Sequence, residues 1–72
     1  MRNIENKYSN KLRELRVKKN LTQKQVAQYL HMQCEDRLSH WEKGRAFPSI
    51  QNLSRLCKLY EAKAEELYPE FG

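Results

Sequence analysis

Apolar residues recur along this chain at intervals of three and four rather than two, the spacing of helix faces, and no stretch alternates like a strand. Tyr8, Leu12 and Leu15 open the series. They predict a first helix from about Tyr8 to Lys19, stopped at Asn20, a residue type that accepts left-handed backbone geometry. Thr22 followed three residues later by Gln25 has the spacing of a capping box, and Val26, Ala27 and Leu30 form the inward stripe of the helix it opens. A break is expected around residues 31–34. A short third helix should then turn Leu38 and Trp41 inward and end near Gly44. Residues 44–48 read as a loop, because Pro48 pushes Phe47 into extended geometry. Ser49 caps a fourth helix with Ile50, Leu53, Leu56, Cys57 and Tyr60 on its inner side, and a fifth short helix from Glu65 to Tyr68 is stopped by Pro69. Residues 1–7 are polar and are expected to form a flexible arm ahead of a single domain, residues 8–72.

Five short helices with short links predict an all-α globule rather than a long bundle. At 72 residues the chain buries only about 60% of the surface its unfolded form exposes, so the core is small and leaves little room for a deep catalytic cleft. The second and third helices, each about two turns long and a few residues apart, have the size and order of a helix-turn-helix unit.

Charge adds a direction to this picture. The net charge is +5, which suits a polyanionic partner. Residues 1–24 carry a net +6, residues 25–48 are neutral and residues 49–72 carry −1. The basic excess fits either phosphate contact or a solvated first helix.

The stretches LTQKQVAQYL, LSHWEKGRAFPS and LSRLCKLYEAKAEEL together resemble the Cro/cI-type (XRE-like) helix-turn-helix proteins, over roughly residues 9 to 68. The resemblance implies a compact five-helix, lambda-repressor-like domain whose second and third helices form the helix-turn-helix. It also implies a sequence-specific regulator of transcription, expected to be a repressor, acting on double-stranded DNA. In such folds the third helix enters the major groove, which places Glu35, Asp36, Arg37 and His40 as candidate base readers, with Ser39 and Lys43 also on the outer face. Gln23, in the first turn of the second helix, and Lys43 and Arg45, flanking Gly44, are candidate phosphate contacts. The family also pairs an Arg with a Glu at the places held here by Arg16 and Glu42, bridging the first and third helices. A homodimer on a palindromic operator is implied, with Phe47, Leu59 and Tyr68 as candidate contacts. Two departures stand out: His31 occupies a place where the family usually has Gly, and the stretch from Leu30 to Leu38 is one residue longer than usual.

Other chemistries are weaker. His31, Cys34, His40 and Cys57 match no paired metal-ligand spacing, so no metal or cofactor is expected, and Cys57 reads as a buried structural thiol. Ser39 beside His40 on one helix is not a nucleophile–base arrangement, and no enzyme activity is expected. Two thiols without a disulfide framework, no secretory leader and no apolar run of about 20 residues fit a cytoplasmic protein with no membrane partner. A protein-interaction module, such as an antitoxin or adapter, is the alternative, with Tyr29, Phe47, Tyr68 and Phe71 as aromatic anchors.

Overall fold

The computed structural model describes residues 8–71, apart from the side chain of Phe71; the expected arm, residues 1–7, and the Phe71 anchor therefore lie outside the described residues. The described chain forms five α-helices and a terminal 3₁₀ turn: α1 (Leu12–Lys18), α2 (Gln23–Tyr29), α3 (Asp36–Glu42), α4 (Ile50–Tyr60), α5 (Ala64–Leu67) and the turn Pro69–Phe71. There are no strands among the described residues.

One core joins all five helices. Leu12, Val26, Leu30, Leu38, Trp41, Leu56, Tyr60, Leu67 and Tyr68 are buried together, with Leu15, Leu21, Met32, Leu53 and Cys57 packed around them. Burying a leucine or valine of this kind stabilises the fold by about 1.5–3 kcal/mol relative to leaving it in water.

α1 begins at Leu12 and not at Tyr8, because Asn10 straps the chain down first. Its amide nitrogen donates to the carbonyls of Tyr8 and Trp41, each at 2.8 Å, and its oxygen accepts the Leu12 N–H at 2.9 Å. The Tyr8 N–H reaches the Gly44 carbonyl and the Lys11 N–H reaches the Leu67 carbonyl, both at 2.9 Å. The segment before α1 is thus spent on bonds to the ends of α3 and α5 and cannot continue the helix backwards. α2 opens with the full capping box: Thr22 Oγ1 accepts the Gln25 N–H at 3.0 Å and Gln25 Oε1 accepts the Thr22 N–H at 2.9 Å. Ser49 caps α4 by accepting the Asn52 N–H at 3.2 Å.

α1 to α4 all end in one way. At Asn20, His31, Gly44 and Glu61 the backbone turns left-handed, with φ of 60°, 61°, 79° and 54°. After each of them the next N–H closes back onto a carbonyl five residues earlier: Leu21 to Arg16, Met32 to Ala27, Arg45 to His40 and Ala62 to Cys57. These are Schellman closures, and three of them carry their usual apolar contact, since Leu21, Met32 and Ala62 pack against the core.

Two sequence expectations about packing fail. Ile50 is 83% exposed rather than inward; it is the first residue of α4 and lies off the stripe made by Leu53, Leu56 and Tyr60. Tyr68 is only 2% exposed, so it belongs to the core and cannot serve as a surface contact or aromatic anchor. The fifth helix runs one residue earlier than expected, from Ala64 to Leu67, and Pro69 opens the 3₁₀ turn.

Candidate functional site

α3 with its caps, Glu35 and Lys43, carries most of the residues marked by the sequence, and these divide cleanly by face. Leu38 and Trp41 are buried and fix the inward side. With about 100° of rotation per residue, Asp36, His40 and Lys43 fall opposite them, and all three are exposed. Ser39 and Glu35 are half-buried; Glu35 sits at the N-cap without a side-chain capping bond. Arg37 is exposed but lies to one side, with its guanidinium carbon 6.0 Å from the centre of the Trp41 ring. Cation–π contacts at this range hold a side chain modestly, by about 0.5–1 kcal/mol when exposed.

The opposite flank of α3 is tied down by a polar cluster. Arg16 on α1 donates from Nε to Glu42 Oε2 at 2.6 Å and from Nη2 to Oε1 at 3.3 Å. Its Nη1 donates to the Leu21 carbonyl at 2.8 Å, so the same guanidinium also holds the turn between α1 and α2. Gln23 on α2 donates from Nε2 to Glu42 Oε1 at 2.9 Å. One carboxylate therefore binds α1, α2 and α3 into a fixed arrangement. The two charged side chains are 11% and 4% exposed, which makes this a largely desolvated pair. The Tyr60 hydroxyl of α4 is buried nearby and has no hydrogen-bond partner among the described residues. Burial drives its ionisation well above the usual tyrosine range; the Glu42 charge pushes the same way and Arg16 opposes it.

Gln23, expected to face a backbone phosphate, thus has one amide hydrogen directed at Glu42. Lys43 and Arg45 are exposed on either side of the buried Gly44, beyond the end of α3. The loop that follows stacks Phe47 against Tyr8, with centroids 5.5 Å apart, and against Tyr68 at 4.6 Å, leaving Phe47 40% exposed. Leu59 is half-buried.

The structure also draws in Arg55, which the sequence reading passed over. Arg55 on α4 lines an open groove of about 630 Å³ with Arg37, His31, Cys34, Gln51 and Asn52, and no acidic residue lines it. Its helical offset from Asn52 and Leu56 marks it only as an exposed α4 residue, and the approach of α3 to α4 cannot be read from spacing.

No three His, Cys, Asp or Glu side chains gather as a metal site among the described residues. Cys34 is exposed and Cys57 half-buried, both as free thiols. No helix among the described residues is long and apolar enough to cross a membrane.

The sequence profile of a helix-turn-helix domain family matches residues 8–69. Over 60 residues the chain is 35% identical to the HTH-type transcriptional activator BcrR of Enterococcus faecalis, covering 83% of this chain and 29% of that protein. The chain spans less than a third of the length of that relative. No solved structure matches it.

Proposed function

From the premise that this chain belongs to the helix-turn-helix domain family, we propose that it is a sequence-specific regulator of transcription that reads double-stranded DNA in the major groove with α3. The observation that carries this reading is the outward face of α3. Asp36, His40 and Lys43 project together from a helix held by Leu38 and Trp41 on one side and by the Glu42 cluster on another. A side chain discriminates bases only if its helix is rigid enough to present it in register, and a two-turn helix has that rigidity only through such anchoring. Asp36 accepts from a cytosine amino group and His40 offers a ring nitrogen to a base edge. Lys43 and Arg45 meet phosphates at the far end of α3, and Gln23, held by Glu42, meets one at the start of α2. Glu35 and Arg37, to either side, contribute less to base reading than Asp36 and His40.

The sequence leads to a repressor, whereas the similar protein is named an activator. One DNA-reading module serves both outcomes, because the sign of regulation depends on where the bound protein sits relative to the promoter. A homodimer on a palindrome is part of the same proposal. The exposed Ile50 and the partly exposed Phe47, close in sequence just past Arg45, offer apolar surface to a second copy.

Selection of binding sites from random duplex DNA tests the reading. A defined consensus that changes with His40→Ala or Asp36→Ala is the expected result. Recovery of unselected sequence would overturn it.

A further inference from the structure

α3 has two flanks, and each faces a different neighbour. Glu42 turns toward Arg16 and Gln23 on α1 and α2. Arg37, on the other side, turns toward α4, where it shares the groove with Arg55. A helix with its side chains is about 10–12 Å across and the major groove about 12 Å wide, so a seated helix has one sugar–phosphate backbone along each flank. Gln23 sits on the flank of one strand. The groove between α3 and α4 then lies against the other.

Its chemistry suits that place. Arg37 and Arg55 are both exposed and neither has a carboxylate partner among the described residues. His31 stands beside them, and the amides of Gln51 and Asn52 supply further donors. The wall from α4 is the first turns of an 11-residue helix, so its dipole adds positive potential. We propose that this groove, closed on by Arg37 and Arg55, takes a backbone phosphate of the DNA strand opposite the one met by α2. The inference rests on the DNA-reading function proposed above. It assigns Arg55 to the interface and makes Arg37 chiefly a phosphate contact. An acidic peptide would meet the same charges, but with α3 in the major groove the DNA backbone already occupies the space beside Arg37.

Arg55→Ala is the test, since Arg55 lies on α4, outside the recognition helix. Binding of the purified chain to its selected operator and to a random duplex is measured by fluorescence anisotropy from 50 to 200 mM salt. One lost phosphate contact reduces the salt slope by about 0.9, so over this range the wild-type affinity falls about 3.5-fold further than that of the variant. The loss should be proportionate on both duplexes, and Arg55→Lys should restore the slope. Replacing single operator phosphates by neutral methylphosphonates should reveal one position that weakens the wild type more than it weakens Arg55→Ala. An unchanged slope and affinity in Arg55→Ala overturns the groove assignment while leaving operator binding intact. So does a loss confined to the operator, which would mark a base contact, or binding of an acidic peptide that Arg55→Ala abolishes without affecting DNA. Failure of the wild-type chain to select any operator would instead strike the DNA reading itself.

Discussion

At the scale of single residues, Glu42 matters most. Its carboxylate accepts from Arg16 and Gln23 in a nearly dry setting. A desolvated pair of this kind adds little net stability over an apolar pair, yet removing one partner strands the other charge at a cost of about 3–5 kcal/mol. Glu42→Ala should therefore lower the melting temperature by more than about 10 °C, whereas Glu65→Ala, at an exposed position of α5, should stay within a few degrees. Equal melting temperatures in circular dichroism would show that the Glu42 cluster carries no stability. A second residue-scale consequence concerns alkali. Burial raises the ionisation of Tyr60 and Tyr68 above the ordinary value of 10. Above pH 10 the unfolded chain releases these two protons while the folded chain keeps them. The unfolded state then binds fewer protons, so stability is intact below pH 10 and falls as the pH rises beyond it, by about 1.4 kcal/mol per pH unit for each tyrosine. Urea titrations at pH 9 and 11 measure this, and Tyr60→Phe should flatten the decline.

At the scale of elements, the helix ends are the distinctive feature. Left-handed geometry costs a non-glycine residue about 1–2 kcal/mol, and three of the four Schellman closures accept that cost at Asn20, His31 and Glu61. His31→Gly should relieve it at α2. The gain is offset in part by the greater freedom of an unfolded glycine, about 0.4–1 kcal/mol, leaving a rise of a few degrees in melting temperature. His31→Val should instead lower it, because a β-branched residue resists positive φ. A fall with glycine would mean that the imidazole itself contributes at this turn. These ends also show which parts of the fold were legible in the chain. Asn20 and Gly44 were readable as stops because their residue types favour the geometry. Glu61 was not, since glutamate has no such preference. Its cap is set by the apolar Ala62 against the core and by Lys19, whose ammonium lies 2.7 Å from the Glu61 carboxylate and holds its pKa below the usual value. The stripes of α2, α3 and α4 gave the core, because local periodicity encodes them. The start of α1 depends on bonds from Asn10 to Trp41 and from Lys11 to Leu67, and Tyr68 packs on Phe47; these partners are distant in sequence and leave no periodic trace. In the candidate site, the face of α3 that carries Asp36, His40 and Lys43 follows from the spacing around Leu38 and Trp41, but the meeting of Arg37 with Arg55 in one groove depends on how α4 lies beside α3.

At the scale of the molecule, the proposed contact between two copies at Ile50 and Phe47 would let one small domain gain specificity. A single unit reads only a few base pairs, and two units on half-sites about 10 base pairs apart read enough. Ile50→Asp should leave the melting temperature unchanged, because the side chain is in water, and should weaken binding to a two-half-site duplex by about tenfold or more while sparing a single half-site. Equal losses on both duplexes would place Ile50 outside any contact between copies. The bonds from Tyr8 to Gly44 and from Lys11 to Leu67 have a different kind of consequence, one of order in time. A ribosome delivers the chain from its N-terminus at about 5–20 residues per second. α3 emerges well before α5, but the carbonyl that completes the start of α1 and the Leu67 and Tyr68 side chains that close the core come last. Until residue 68 is free of the ribosome α3 has only part of its support, so a nascent chain stalled short of that point should be sensitive to proteolysis through α3 and, on the proposed function, unable to bind DNA.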